Sequence, residues 1–339
     1  RRRRCEVEVG QTSVNALHLD ADEYATWLES PFVDEEIAGD PGISVVVVRS
    51  GRGGTDPFLP APGSLPIVVA WTGDHFGAPG PVGADVVVGP DEVDLLITAV
   101  QRAPRAAVAL AVLLRAQATL DVEAGLATES ALYSMLQAGP EFAAWRAAHA
   151  PAPLPAEHDV VAASRNGNEL AITLDRPNRH NAITAQLRDE LAAALAVARV
   201  DDTITDVVLR GNGPSFCSGG DLDEFGIRPD PATAHVTRLA RSPARLVHQL
   251  GNVTARIHGT TVGGGIEMAA FAHRVVADPD TTLALPEIAL GLIPGAGGTV
   301  SLTRRIGRQR TAALGLTGRT IGASTALDWG LVDAIEPIS

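Results

Sequence analysis

Hydrophobic positions along this chain fall into two kinds of run, and their alternation divides it into segments. Ile43–Arg49 (ISVVVVR), Pro66–Trp71 (PIVVAW) and Ala84–Val88 (ADVVV) are short β-branched runs bounded by Gly and Pro. Continuous apolar runs of that length predict strands buried on both faces. Asp91–Gln101 reads as a helix, and Gly51–Gly63 as a Gly/Pro-rich loop. Residues 1–103 therefore read as a small α/β segment. Residues 104–149 differ. Their apolar positions recur at helical spacing with almost no β-branched clusters, which predicts helices. Gly139-Pro140 breaks this region into at least two. A proline-rich stretch, HAPAPLP from His149 to Pro155, then predicts a semi-rigid linker and the best domain boundary in the chain.

After the linker the pattern restarts as strand and helix in alternation. Asp159–Ser164 and Glu169–Asp175 flank RNGN (165–168), an Asn-Gly hairpin signal. Thr184 is placed to cap a helix running to Val200. Ile204–Leu209 and Val253–His258 read as strands. Pro231–Leu250 reads as a long amphipathic helix interrupted near Ser242-Pro243. Such alternation predicts a layered α/β fold.

Composition narrows the function classes. The chain has 339 residues, 45% of them hydrophobic, which suffices for a large core. Its net charge of −13 argues against nucleic acid as a partner. The longest apolar run, Ala106–Leu114, falls short of the ~18 residues of a membrane span, so no membrane partner is expected. RRRRCEVEV at the start lacks a following apolar region; it predicts a solvated terminus rather than a signal peptide. Two cysteines, Cys5 and Cys217, suggest no disulfide framework and fit a reducing cytoplasm. No Cys/His spacing suggests a metal site. All 27 basic residues are arginine, which excludes a lysine Schiff base.

The candidate chemistry lies in two turns of one design. In the first, Ile204–Leu209 leads through GNGPSFCSGG (211–220) to Asp221. In the second, Val253–His258 leads through Gly263–Gly265 into a short helix carrying Glu267. A second acid, Glu287, follows Pro286, and IPGAGG (293–298) opens a further helix. Glycines let backbone N–H groups approach a ligand, and a helix N-terminus orients such donors. Two such turns facing each other can hold a carbonyl oxygen as an oxyanion. Asp221 reads first as a helix cap and His258 as structural.

GPSFCSGGDLDEF, HGTTVGGGIEMAAFAHRVVAD, LPEIALGLIPGAGGT and LTGRTIGASTALDWGLVD, in this order, resemble the crotonase (enoyl-CoA hydratase/isomerase) family from about His158 to Ser339. The resemblance implies a crotonase-like ββα spiral and an acyl-CoA substrate that itself carries the coenzyme A, with no further cofactor. It places the oxyanion-hole amides on Gly220 and Gly264. It places the two catalytic glutamates on Glu267, as base on a water, and on Glu287, as proton donor. Arg179, in DRPNRHNAIT, falls in the family's CoA-binding segment, and Ser218 and Asp221 are further candidate substrate contacts. The Clp-type proteases share this fold, but the serine motif of their triad is not recognisable around Ser218. Within the family the reaction is either hydration or another enolate reaction such as isomerisation or hydrolysis. A non-catalytic acyl-CoA-binding subunit is the reading from another class.

Crotonases continue beyond the point matching Ser339 with helices that cover the acyl pocket and build a trimer. VALAVLLRAQATLDVEAGLATESALYSMLQAGPEFAAW, within 104–149, resembles that tail. LPIVVAWTG and GADVVVG faintly resemble crotonase strand segments without the triple glycine or the glutamate. The expected organisation is a degenerate crotonase-like segment at 1–103, a tail-like helical region at 104–150, a linker at 151–157 and a catalytic core at 158–339. Helices of 104–149 should then pack onto the site of the second half, in the same or a neighbouring chain. A homo-oligomer, a trimer or dimer of trimers, is the implied assembly.

Overall fold

A computed structural model describes residues 3–5, 15–38, 42–49, 59–152, 159–227 and 230–338. The first sheet joins β1 (Arg3–Cys5), β2 (Asn15–Asp20), β3 (Ile43–Arg49), β4 (Val68–Thr72) and β5 (Val86–Val88) in sequence order. β1 is antiparallel to β2, and the rest are parallel. Arg3 and Arg4 are thus paired backbone, not a frayed end. Helices α1 (Ala21–Leu28) and α2 (Val33–Ala38) connect β2 to β3. Asp20 and Glu23 close a reciprocal capping box at the start of α1. The apolar run of β3 feeds two cores because alternate side chains leave opposite faces. Val46 and Val48 pack with Tyr24 and Trp27 of α1. Val45 and Val47 pack with the helices that follow the sheet.

Those helices are α3 (Val93–Arg102), α4 (Pro104–Gln117), α5 (Val122–Gln137) and α6 (Pro140–Ala148). The 104–149 region is therefore three helices. The break not read from sequence lies before Asp121, whose side chain caps α5 by accepting from the Ala124 amide at 2.7 Å. β4 and β5 each start two residues late because Asp85 ties them differently. Its carboxylate accepts from the Val69 amide at 2.9 Å and its own amide donates to Val69 at 2.8 Å. Residues 153–157 of the expected linker lie outside the described residues, as do 51–58 of the Gly/Pro loop.

The second large sheet repeats the design of the first. β6 (Val161–Asn166) and β7 (Glu169–Leu174) form an antiparallel hairpin that turns at Gly167, φ +59°, and Asn168. Then β7, β8 (Asp206–Gly211), β9 (Val253–Ile257), β11 (Arg274–Ala277) and β14 (Ala334–Ile335) lie parallel in sequence order. β8 begins two residues after the expected start because the Asp201 carboxylate accepts from the Thr203 amide and folds 201–205 into a turn. Thr184 caps α7 (Ala185–Val200) as expected, by accepting from the Leu187 amide. α8 (Pro231–Ala240) and α9 (Pro243–Leu250) are separate helices, the second capped by Ser242. A small sheet joins β10 (Thr260–Val262), β12 (Thr282–Ala284) and β13 (Ile321–Gly322). α10 (Gly264–Ala269), α11 (Gly298–Ile306), α12 (Arg308–Thr317) and α13 (Ala323–Trp329) complete the chain.

One core spans both halves. Val45, Val68 and Val86 of the first sheet and Leu110 and Leu114 of α4 share it with Ile288, Leu292, Ala312 and Leu316 of the second half. A buried ion pair crosses the same seam. Asp85 is 2% exposed and binds Arg115 of α4 at 2.5 Å and Arg308 of α12 at 3.4 Å. Helices α4 and α5 are thereby wedged against α11 and α12 within one chain. Among the described residues no single helix is long and apolar enough to cross a membrane.

Candidate active site

The two glycine turns are laced side by side. The Phe216 amide donates to His258, and the Val262 amide donates to Cys217 at 3.0 Å. Buried Asn181 pins the first turn by donating to the carbonyls of Asn212 and Ser215 at 2.9 and 2.7 Å. Gly219 sits at φ +88°, and a Cβ there would lie 3.0 Å from the Val262 oxygen and 3.6 Å from the Gly264 nitrogen. Both backbone conformation and space thus demand glycine. A bridge to Ile183 takes the Gly219 carbonyl and the Asp221 amide, so the Gly220 amide between them is left uncommitted. In the second turn Gly263 adopts φ +50° and ψ −127°, which starts α10 at Gly264. The Gly264 amide lies in the first turn of that helix, where no intrahelical acceptor exists. Gly220 and Gly264 both line one cavity of about 710 Å3.

Glu267 and Glu287 line the same cavity, and both are buried. Their surroundings differ. Glu267 Oε2 accepts from the amides of Ala296 and Gly298 at 2.7 and 2.9 Å. Burial raises its pKa from 4.5 to about 7, and those amides oppose the rise. Glu287 Oε2 is buried without a hydrogen-bond partner. Burial first, and the nearby Glu267 second, push the Glu287 carboxyl well above its usual range. At neutral pH this arrangement favours a protonated Glu287 beside a Glu267 that ionises more readily.

A third carboxylate, absent from the sequence reading, completes the cavity. Glu129 of α5 is 1% exposed. Its Oε1 accepts from the Gly297 amide at 2.7 Å, and its Oε2 accepts from the amide and hydroxyl of Thr299 at 2.9 and 2.7 Å. The loop 296–299 therefore hands its amides alternately to two acids: 296 and 298 to Glu267, 297 and 299 to Glu129. Gln117 of α4 adds a donor to the Thr299 hydroxyl at 3.0 Å. Burial, then Glu267, raises the Glu129 pKa to about 8. The signal in the sequence was slight, since Glu129 stands in mid-helix between polar neighbours. Helices of 104–149 thus meet the cavity of their own chain.

The remaining candidates lie outside the cavity walls. Asp221 is 2% exposed and pairs with Arg176 at 3.2 Å and Arg179 at 2.9 Å. Residues 222–227 form turns and no helix starts at Asp221, so the helix-cap reading is replaced by this ion-pair role. Arg179 also reaches Asp223 at 2.5 Å. The Ser218 amide donates to the His180 carbonyl at 3.0 Å. Cys217 is fully buried and its thiol is pushed up to about 12 by that burial, so it packs and does not react. His258 Nε2 bonds the Gly213 carbonyl at 2.9 Å, which ties the two turns together.

Comparison with known proteins yields one family. Residues 165–339 match the family model for enoyl-CoA hydratase/isomerase. A mevalonyl-coenzyme A hydratase of Beauveria bassiana is 34% identical over 192 residues, 54% of this chain and 69% of that protein. A 2,3-dehydroadipyl-CoA hydratase of Escherichia coli is 36% identical over 174 residues, 51% of this chain and 68% of that protein. The solved enoyl-CoA hydratase of Thermoplasma volcanium is 32% identical with a TM-score of 0.50, over 53% of this chain and 73% of that one. About half of this chain is matched in each case, and about a third of each curated relative is not.

Proposed function

This chain belongs to the enoyl-CoA hydratase/isomerase family, and from that premise we propose that it adds water reversibly and syn across the double bond of a 2-enoyl-CoA. The thioester oxygen sits between the amides of Gly220 and Gly264. Ionised Glu267 takes a proton from a water as its oxygen bonds the β-carbon. Protonated Glu287 gives its proton to the α-carbon. Charge developing on the thioester oxygen is held by the two amides, which need no reorganisation as it forms. The sum is one water added, with one proton moved from Glu287 to Glu267 and restored by exchange. The substrate supplies the coenzyme A, and no other cofactor takes part.

The observation that carries this reading is the asymmetry of the two acids. One carboxylate is held by two amides and the other has an unpartnered buried oxygen, so each occupies the protonation state that its step needs. The test is loss of the enoyl thioester's ultraviolet absorbance for crotonyl-CoA and longer or aryl enoyl-CoAs. Glu267→Gln and Glu287→Gln should each lower kcat by about 100-fold or more, in the range of general acid–base contributions. An isomerase relying on Glu287 alone would keep most of its activity in Glu267→Gln. No absorbance change with any substrate would leave a binding subunit as the better reading.

A further inference from the structure

Arginines and glutamates both line the cavity, and Arg238 stands apart among them by its partners. Arg238 of α8 lies over the Tyr133 ring, 4.8 Å from its centroid. Its guanidinium donates only to neutral oxygens: the Ser130 hydroxyl and carbonyl at 3.1 and 3.2 Å, the Ser134 hydroxyl, and Gln137 at 3.4 Å. Among the described residues no carboxylate lies within ion-pair distance of it. The acid it feels, Glu129, is committed to the 297–299 amides. Burial disfavours the charged state of Arg238. Further along the wall Arg188 and Arg241 share a single carboxylate, Asp189, at 2.7 Å and through a short contact. Arg188 and Arg241 are thus answered by a carboxylate, whereas Arg238 is not.

We propose that Arg238 binds an anionic group, a carboxylate at the far end of the acyl chain, so that the preferred substrates are CoA thioesters of dicarboxylic acids. A half-buried cation without a counterion costs free energy that an incoming anion recovers, and a guanidinium fits a carboxylate as a two-pronged donor. The position suits the acyl end. Tyr133 packs its ring on Gly295, where a Cβ would meet it at 2.4 Å, next to the loop that holds Glu267. Arg238 lies on that same ring, one side chain beyond the acids. The proposal rests on the reading that the thioester is seated between Gly220 and Gly264. A CoA phosphate shares the same chemistry, and the experiment separates the two.

Binding of saturated ligands tests this without any turnover. Calorimetry compares succinyl-, glutaryl-, adipyl- and suberyl-CoA with methyl-ended acyl-CoAs of equal length. At the best-fitting length the wild type should bind the carboxylate-ended ligand at least tenfold tighter. Arg238→Met should bring the two within about threefold of each other, chiefly by weakening the carboxylate-ended ligand. Arg238→Lys, which keeps the charge without the fork, should retain part of the preference. A wild-type preference below threefold at every length overturns the proposal, whether or not the variants fold. So does a loss in Arg238→Met that falls equally on both ligands, which would indicate a phosphate contact. Because no chemistry is required, absence of hydration would count against the proposed reaction and leave this result readable.

Discussion

Glu267 receives two backbone N–H groups, Glu129 receives two and a hydroxyl, and Glu287 Oε2 receives none. Amide donors favour the ionised form, so Glu267 ionises ahead of the unpartnered Glu287, whereas burial and the neighbouring Glu267 hold Glu129 up despite its three donors. Because the acids interact, they titrate as a group. If the proposed reaction holds, the acid limb of a kcat/KM profile should fall near pH 7, where Glu267 ionises. Glu129→Gln sets an NH2 against the amide of either Gly297 or Thr299 and so loosens the loop whose other amides hold Glu267. Its kcat should drop at least tenfold, about the worth of one charged hydrogen bond, and its acid limb should move to higher pH as the loosened loop offers Glu267 weaker amide donors. A drop with an unmoved limb would make Glu129 structural only. Stability gives an independent check. The folded-state pKa of Glu129 is raised from 4.5 to about 8, so its favourable contribution is complete below pH 4.5 and is lost as pH rises to 8. Thermal unfolding should show wild-type stability falling across that window and a shallower fall in Glu129→Gln. Glu267, Glu287 and both glycine turns were legible in the sequence because each lies in a continuous motif on adjoining elements. Glu129 was not, because its partner loop is 168 positions away and only packing joins them.

At the scale of elements, strands such as Ile43–Arg49 and the capped helix from Thr184 read directly, since local pattern and capping chemistry decide them. β2 and α1 did not read. NALHLD alternates too briefly to stand out, although Asp20 and Glu23 carried a capping-box spacing that marks the helix start. The element with most consequence is α5. Gly125 packs so closely that a Cβ would lie 2.6 Å from Gln117 Oε1 and 2.9 Å from Val300. Tyr133 fills the space over Gly295, and Glu129 fixes the loop. The acid-bearing loop is thus built by contributions from both halves. Removing residues 1–150 strips α4 and α5 from α11 and α12 and uncovers Ala312, Leu316 and the 297 and 299 amides. The remaining chain should aggregate or lose the proposed activity entirely, as read by light scattering and absorbance assays. A monodisperse, fully active remainder would refute this account of the helices.

For the whole molecule, the two sheets share an order, one antiparallel pair followed by parallel strands in sequence, but among the described residues only the second carries the glycine turns and acids. We propose that the first half is a degenerate copy whose present role is to deliver α4 and α5. The implied trimer is likewise a proposal that sedimentation velocity can decide. How tightly the halves are joined turns on Asp85. It accepts from the Val69 amide in the first sheet and holds Arg115 of α4 and Arg308 of α12. Arg115 in turn donates to the carbonyls of Leu65 and Ile67 at 2.9 and 2.6 Å. Asp85→Asn leaves two guanidiniums at the seam without a counterion, and breaking such a buried pair typically costs about 3–5 kcal/mol. If one core spans the seam, the wild type should unfold in one calorimetric transition and Asp85→Asn should lower it as a whole. Two transitions in the wild type, with only the first lowered by the substitution, would mean that the halves fold as separate units. The shared packing of Val45, Val68, Leu110, Leu292 and Leu316 would then be a docked surface and not a common core.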